Sequence, residues 1–371
     1  MNIAGLVATL AGVDYGCAQF ITPLAGLRST PVTVLAVYAG ILASHGLINH
    51  IGIRVVTRLN DLSVTVHIAG VAVIVGALLL FTPKQPLSYF WRPVTTSHFP
   101  YAWAFVLGLL QAQWTFTGYD ASAHVAEETV DPRRRVPWGI LNSVVISAVA
   151  GYLLLLAITL AIHNLPAVLA ATDAGGNKIP AVIAILQQAL GARAGAATSL
   201  LAALAMWFCG LSTVTSTSRA VYAFARDRGM PLSHWWRHVG NRFRTPAAAI
   251  WLVAATAWVC SLYSGAYSVV TSISTVGIYV SYGIPIFLYW RKRRSSNGIP
   301  AGPWNLGRWG IAINAVALLW TAGISIMLVM PPNQLAGKTI AALAACLGLW
   351  YILRERRRFN GPEILQRRGW E

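Results

Sequence analysis

The chain has 371 residues, of which 56% are hydrophobic and only 11% are charged, and its mean hydropathy is +0.58. Soluble proteins carry about 25% charged residues, so this composition excludes an ordinary globular domain and indicates a polytopic membrane protein. The net charge of +17 does not indicate a nucleic-acid-binding protein, because the basic residues fall in short runs between apolar segments rather than along one face.

Ten apolar segments are long enough to span a membrane, since a transmembrane helix needs about 20 mainly apolar residues. They cover approximately residues 3–22, 32–51, 62–81, 101–128, 138–163, 194–224, 247–265, 267–290, 309–330 and 338–353. The sequence therefore predicts an all-α integral membrane protein, with a single transmembrane bundle over residues 1–353 and a basic cytoplasmic tail over 354–371.

The basic residues concentrate in alternate loops. The rich loops hold Arg54 and Arg58, Arg133 to Arg135, the five arginines of 226–244, and Arg291 to Arg294, and the C-terminal tail belongs to the same set. The opposite loops hold only Arg28, Lys84, Arg92, Lys178, Arg193 and Lys338. Because Lys and Arg are retained in cytoplasmic loops, both termini are predicted to be cytoplasmic.

Ionisable residues in the first three predicted spans are candidates for function, because charges are costly inside a bilayer. Asp14 lies in the first span and is expected to have a polar partner across the bundle. His45 and His50 lie toward the end of the second span, where solvation alone would explain them. His67 lies in the third span, and its alternative interpretation is a neutral imidazole hydrogen-bonded within the bundle.

The fourth span is interrupted by Thr117, Gly118, Tyr119 and Asp120. Glycine permits an unwound turn, and a helix that stops inside the membrane leaves carbonyl groups with partial negative charge at its end. This arrangement is typical of a substrate or ion site. Asp120 is predicted either to attract a cation or to cap the following half-helix. Trp114, Phe116 and Tyr119 are predicted to stack over a substrate or simply to pack.

Glu127 and Glu128 follow Asp120 by seven and eight residues and approach the cytoplasmic end of the span. The simpler interpretation is ion pairing with Arg219 or with the run Arg133 to Arg135. The alternative is an inner gate built from the same pairs.

No cofactor or metal site is expected. The four cysteines, Cys17, Cys209, Cys260 and Cys346, are far apart in the sequence and lie in apolar runs, so they form neither a metal-binding pattern nor a disulfide framework. The sequence contains no nucleotide-binding or hydrolase motif, and an enzyme is not expected.

Four stretches together resemble the amino acid–polyamine–organocation transporter superfamily, in particular its branch of GABA, choline and general amino acid permeases. They are GVDYGCAQFI at 12–21, LINHIGIRVVTRLNDLSVTVHIAG at 47–70, FTGYDASAHVAEET at 116–129 and STSRAVYAFARDRGMP at 216–231. The resemblance implies a transporter with a fold of two inverted five-helix repeats.

The resemblance also implies roles for individual residues. The backbone of Trp114, Thr115, Phe116 and Thr117 would line the amine side of the substrate site, and Trp207 would face the same cavity or pack. Ser212 and Thr213 resemble the wall of a cation site. His67 stands where proton-coupled relatives place a lysine and sodium-coupled relatives bind a cation, so the proton is its expected ligand.

Members of this superfamily usually have twelve spans, and the ten predicted here correspond to the third to the twelfth. The first repeat is therefore expected to be truncated, through either a gene start placed too far downstream or a shortened paralogue. The expected function is secondary active transport of an amino acid or a related amine such as GABA or choline, by alternating access and with proton coupling, in the plasma membrane. The alternative is a transport-incompetent paralogue that acts as an interaction or regulatory protein.

Overall fold

The computed structural model describes residues 1–93, 95, 98–264, 267–293, 302–357 and 359, and the ordered elements among them are helices. The α-helices are α1 (Asn2–Leu24), α2 (Pro31–Ile51), α3 (Ile53–Phe81), α4 (Tyr101–Thr115), α5 (Ala121–His124), α6 (Pro132–Leu160), α7 (Leu165–Leu169), α8 (Ala181–Leu190), α9 (Ala192–Arg226), α10 (Ser233–Trp236), α11 (Ala247–Ser264), α12 (Tyr267–Arg293), α13 (Gly310–Val329) and α14 (Gln334–Leu353). Most of the predicted basic tail, together with Arg294 and Gly265, lies outside the described residues.

Eight helices within the described ranges are long and apolar enough to cross a membrane: α1, α2, α3, α6, α9, α12, α13 and α14. Each predicted span overlaps a helix, but α4 has 15 residues and α11 has 18, and neither is among these eight. The all-α membrane fold is thus confirmed, whereas the count of ten spans stays a prediction.

The surface of the long helices is strongly apolar. Leu80 on α3 is 76% exposed, Ile146 on α6 is 61% exposed and Leu319 on α13 is 74% exposed. Within the most apolar stretch of α6, only 6% of the residues are buried inside the protein. Water does not favour so much exposed hydrocarbon on a single helix, so lipid is the expected neighbour of these faces.

The third helix is longer than its predicted span. It begins at Ile53, directly after Gly52, whose φ of 139° separates it from α2. The prediction began at residue 62 because hydropathy registers only the apolar part of a helix. The polar first turns, which carry Arg54, Arg58 and Asp61, are helical as well.

The described chain divides into two compact units. Unit 1 comprises Met1–Thr9, Leu107–Ser143 and the described residues from Thr215 onward. Its hydrophobic core joins α12 to α13 through Val276, Tyr279, Ile324 and Leu328. The N-terminal turns of α1 pack closely on α12, where Thr9 Oγ1 lies 2.6 Å from Ser274 Oγ.

Unit 2 comprises Leu10–Val106 and Val144–Val214. One of its cores joins α3, α6, α7 and α8, and its fully or nearly buried members include Leu78, Ala157, Val168 and Leu186. The remainder of α1 contacts α9 in this unit, and the thiol of Cys17 donates to the carbonyl of Ala203.

Candidate functional site

The helix that starts at Tyr101 stops at Thr115, and α5 starts at Ala121, so the chain is interrupted over the residues Phe116 to Asp120. Gly118 has a φ of 82°, in the left-handed region that favours glycine. The continuation differs from the single half-helix after Asp120 that the sequence predicts. It consists of the four-residue α5 and a 3₁₀ helix, Ala126–Glu128.

The carbonyl groups at the end of α4 are partly engaged by neighbouring residues. Trp114 O accepts hydrogen bonds from the backbone N–H of Thr117 at 3.2 Å and from its hydroxyl at 2.7 Å. Gln113 O accepts from the N–H of Phe116 at 3.1 Å. The hydroxyl of Tyr279 approaches Phe116 O at 3.5 Å, which is at the outer limit of a hydrogen bond. The partial negative charge at this helix end is therefore shared with local donors.

Asp120 is the centre of a polar cluster in unit 1. It stands at the N-cap position of α5, but its side chain makes no capping hydrogen bond. Its Oδ1 instead accepts from the hydroxyl of Tyr282 at 2.5 Å, and its Oδ2 accepts from Asn2 Nδ2 at 3.2 Å and pairs with His124 Nε2 at 3.0 Å. The carboxylate thereby joins α1, α5 and α12.

A cluster of three tyrosine rings lies beside this carboxylate. The rings of Tyr119 and Tyr282 lie 4.7 Å apart between centroids, and Tyr279 lies 5.8 Å from Tyr282. Trp114 and Phe116 are half-buried near the end of the helix, whereas Thr115 is exposed. A carboxylate beside phenol rings suits a positively charged amine.

Sequence reasoning missed Asn2, His124, Tyr279 and Tyr282. The two tyrosines are three residues apart on α12, so they share one helix face. The spacing predicts that both side chains lie on one face of the helix, but it does not predict which other element that face contacts.

The two glutamates after the break pair with arginines at the end of α9. Glu128 Oε1 accepts from Arg219 Nε at 2.7 Å, and Glu127 accepts two hydrogen bonds from Arg226, at 2.8 and 2.9 Å. The partner of Glu127 is thus Arg226 rather than the run Arg133 to Arg135. The glutamate side chains are 66% and 52% exposed, so each pair contributes about 0–1 kcal/mol to stability in water.

The remaining predicted residues lie in unit 2. Trp207 is half-buried, and its indole N–H donates to Ser44 Oγ at 3.1 Å. Ser212 donates to Asn60 Oδ1 at 2.8 Å, and Thr213 donates to Cys209 O at 2.8 Å. His67 is exposed on α3, and its Nδ1 lies 2.8 Å from the carbonyl and 3.2 Å from the hydroxyl of Ser63, one turn earlier on the same helix.

Asp14 has the polar partner that the sequence predicts, and that partner is His45 on α2. His45 Nδ1 lies 2.9 Å from Asp14 Oδ2, and both side chains are fully buried. The expectation of a solvated His45 is therefore wrong. Its helix turns this histidine toward α1 and α9 rather than toward water.

No group of three or more His, Cys, Asp or Glu side chains arranged to hold a metal ion is found among the described residues. The candidate site consists of a carboxylate, phenol rings and backbone carbonyls.

Comparison with known proteins points to one family. The profile of a family described as "Amino acid permease" matches residues 1–352. The amino-acid permease BAT1 of Arabidopsis thaliana is 34% identical over 391 residues, which cover 97% of this chain and 75% of that protein. The GABA-specific permease of Saccharomyces cerevisiae is 24% identical over 97% of this chain and 67% of its own length. The choline transporter of the same yeast is 30% identical over 62% of this chain and 40% of its own length.

Proposed function

Because the chain belongs to the amino acid permease family, we propose that it is a secondary active transporter that moves an amino acid or a related small amine by alternating access. It is an integral multi-pass membrane protein of a family of transporters rather than enzymes.

The observation that carries the proposal is the interrupted helix beside Asp120. Irregular backbone at membrane depth is tolerated where it is buried in protein or lines an aqueous cavity. Asp120 holds negative charge there with three partners, and Tyr119 and Tyr282 place phenol rings next to it. A solute ammonium group would gain from the carboxylate, from the ring faces and from the carbonyl groups at the end of α4.

The proposed substrate site comprises the segment Trp114 to Asp120 of unit 1. Trp207, in unit 2, remains a separate candidate for binding the substrate. Glu127, Glu128 and Arg219 are proposed as an inner gate. The observed pairs Glu128–Arg219 and Glu127–Arg226 are near the surface, so breaking them costs little free energy, as a gate requires. Ser212 and Thr213 remain candidates for a cation-binding wall.

The proposed substrates are amino acids, GABA and choline-like amines, since relatives are named for such solutes. Proton-coupled uptake across the plasma membrane, with both termini in the cytoplasm, is the proposed mode. The alternation of Arg-rich and Arg-poor loops supports that orientation.

Uptake by the purified chain in liposomes tests the proposal. Labelled amino acids, GABA, a polyamine and choline are supplied outside, with and without an inward proton gradient. We expect accumulation of at least one amine-bearing solute. Asp120→Asn is expected to lower its uptake about tenfold or more, because the carboxylate charge is lost.

The control is Asp131→Asn, which removes an exposed carboxylate at a residue whose φ of 49° asparagine tolerates well. Its uptake is expected to stay within about twofold of the parent. No uptake of any solute by the parent, or equal uptake by the Asp120 variant, would contradict the proposal.

A further inference from the structure

The buried pair Asp14–His45 is the most unusual polar feature of unit 2. Both residues are fully buried, and they come from the middle of α1 and the second half of α2. His45 Nδ1 and Asp14 Oδ2 share one short contact of 2.9 Å. Within the described residues, Asp14 Oδ1 and His45 Nε2 have no hydrogen-bond partner. Two ionisable groups thus face each other with half of their polar atoms unused.

The space around the pair is too small for a water molecule at Asp14 Oδ1. Gly210 on α9 packs directly against it: a methyl group built at Gly210 would lie 1.8 Å from Asp14 Oδ1 and 2.7 Å from His45 Cε1. Packing closes the surfaces of Asp14 Oδ1 and His45 Nε2 almost completely, so no water molecule fits against either atom. Of the cations that a carboxylate binds, only a proton needs no additional volume.

The neighbours of the pair hold it in position without supplying charge. The ring of Trp207 lies 5.0 Å from the imidazole ring, and Trp207 donates to Ser44, the residue before His45. Asn49 donates to the backbone carbonyl of His45 at 3.0 Å. The titratable neighbours are the thiols of Cys17 on α1 and Cys209 on α9, which are ordinarily neutral near pH 7.

We propose that the Asp14–His45 pair is the site that binds and releases the transported proton, an inference that rests on the proposed function of a proton-coupled transporter. With one proton, the pair is neutral overall, as an imidazolium beside a carboxylate or as an imidazole beside a carboxylic acid. Without that proton, a net negative charge remains in a site that excludes water, which is strongly unfavourable. The pair therefore keeps its proton while it is closed.

The proton cycle follows from this charge balance. The proton enters from water on one side of the membrane, is held between His45 Nδ1 and Asp14 Oδ2, and leaves to water on the other side. Only N–H and O–H bonds form and break. Release requires the pair to be hydrated, so it is coupled to the movement that opens the protein. His67, by contrast, is exposed on the surface of α3, and its Nδ1 contacts the hydroxyl and the carbonyl of Ser63 on the same helix.

The test separates proton movement from solute movement in liposomes that contain a pH-sensitive dye. Asp14→Asn and His45→Gln keep the approximate shape of each side chain but change its proton chemistry. Both variants are expected to lose solute-dependent proton entry and proton-driven accumulation about tenfold or more, while they still exchange labelled for unlabelled solute. The matched controls are Asp61→Asn on α3 and His234→Gln on α10, both at exposed residues, which are expected to keep proton entry within about twofold of the parent.

A second measurement is independent of transport. Infrared difference spectra of the parent between acidic and alkaline pH are expected to contain a carboxyl signal that disappears in Asp14→Asn and remains in Asp61→Asn. Proton entry that is unchanged in Asp14→Asn, or lost in His67→Gln, would overturn the proton site. If the parent moves no solute, the proposed function fails instead, and the infrared signal alone decides the proton site: a signal insensitive to Asp14→Asn overturns it.

Discussion

At the scale of single residues, the role of Asp120 is decided by what donates to it. A carboxylate at the centre of a membrane helix costs about 2.5–3.5 kcal/mol on insertion scales, and that cost falls when hydrogen-bond donors surround it. Tyr282, His124 and Asn2 occupy both oxygens. A charge fixed in this way is preorganised for a ligand, because its own side chain no longer has to be ordered when the ligand binds.

The phenol of Tyr282 should be the more important of the two tyrosine hydroxyls on α12. Tyr282→Phe keeps the ring contact with Tyr119 but removes the donor to Asp120, and we expect a loss of about 1.5–3 kcal/mol, as for a hydrogen bond to a charged group. Thermal and denaturant unfolding of the purified protein in one detergent would measure it. Tyr279→Phe is the control, because its hydroxyl lies 3.5 Å from Phe116 O. An equal loss in both variants would contradict this account.

Asp14 illustrates what can and cannot be foreseen at this scale. Its position in an apolar segment predicts a polar partner, because an unpaired carboxylate is too costly there. The partner, His45, is 31 residues away on another helix. The sequence does not reveal that these two helices turn the two side chains toward each other. From its place in its own segment alone, the same histidine would be expected in a solvated position.

At the scale of elements, the interruption after α4 follows from local chemistry. A glycine flanked by threonine, tyrosine and aspartate in an apolar run lowers the helix propensity where the surrounding residues favour a helix. The break is visible in the sequence for that reason. The sequence does not reveal that α5 is short or that a 3₁₀ turn follows it, because both features depend on what Asp120 and the two glutamates contact.

Gly118→Ala tests whether the backbone of the break needs glycine. An added methyl group meets no atom within 4 Å, so the whole cost is that of a left-handed conformation, about 1–2 kcal/mol. We expect lower stability together with slower solute uptake, because the break would be reshaped.

Gly108→Ala is the matched control for that variant. Gly108 lies within α4, and a methyl group there also meets no atom within 4 Å. In a regular helix alanine should be neutral or should raise stability by about 0.5–1 kcal/mol. If Gly118→Ala behaves in the same way as Gly108→Ala, the left-handed turn is not required.

At the scale of the whole molecule, long-range polar contacts tie segments that are distant in the sequence. In unit 2, Asp173, between α7 and α8, accepts from the backbone N–H of Ser29, between α1 and α2, at 2.6 Å. It also accepts from the backbone N–H groups of Gly175 and Asn177 at 2.8 and 2.9 Å. This carboxylate thus orders its own loop and attaches it to another.

This contact predicts a pH dependence outside the membrane. The hydrogen bond from Ser29, supported by those from Asn177, holds the pKa of Asp173 well below its ordinary value. A group with a lowered folded-state pKa stabilises the protein above its unfolded pKa of about 3.9 and loses that contribution as the pH falls toward the folded value. Asp173→Asn should therefore lower the melting temperature at pH 7. The fall of the melting temperature between pH 5 and pH 3 should be smaller in the variant, because its unfolding takes up about one proton fewer. Parallel melting curves for parent and variant across that range would contradict it.

The sequence alone determined the properties that add up along the chain. Hydropathy and the residues of the broken segment were enough to indicate an all-α membrane fold, and the resemblance carried by four stretches indicated the permease family, because each depends on which residues are near one another in the sequence. The tertiary structure decided which side chains meet. The pairs Asp120–Tyr282, Asp14–His45 and Glu127–Arg226 depend on how each helix is rotated about its axis. That rotation is set by packing with residues far away in the chain, and a helix surrounded by lipid has apolar residues on so many of its faces that hydropathy cannot reveal it.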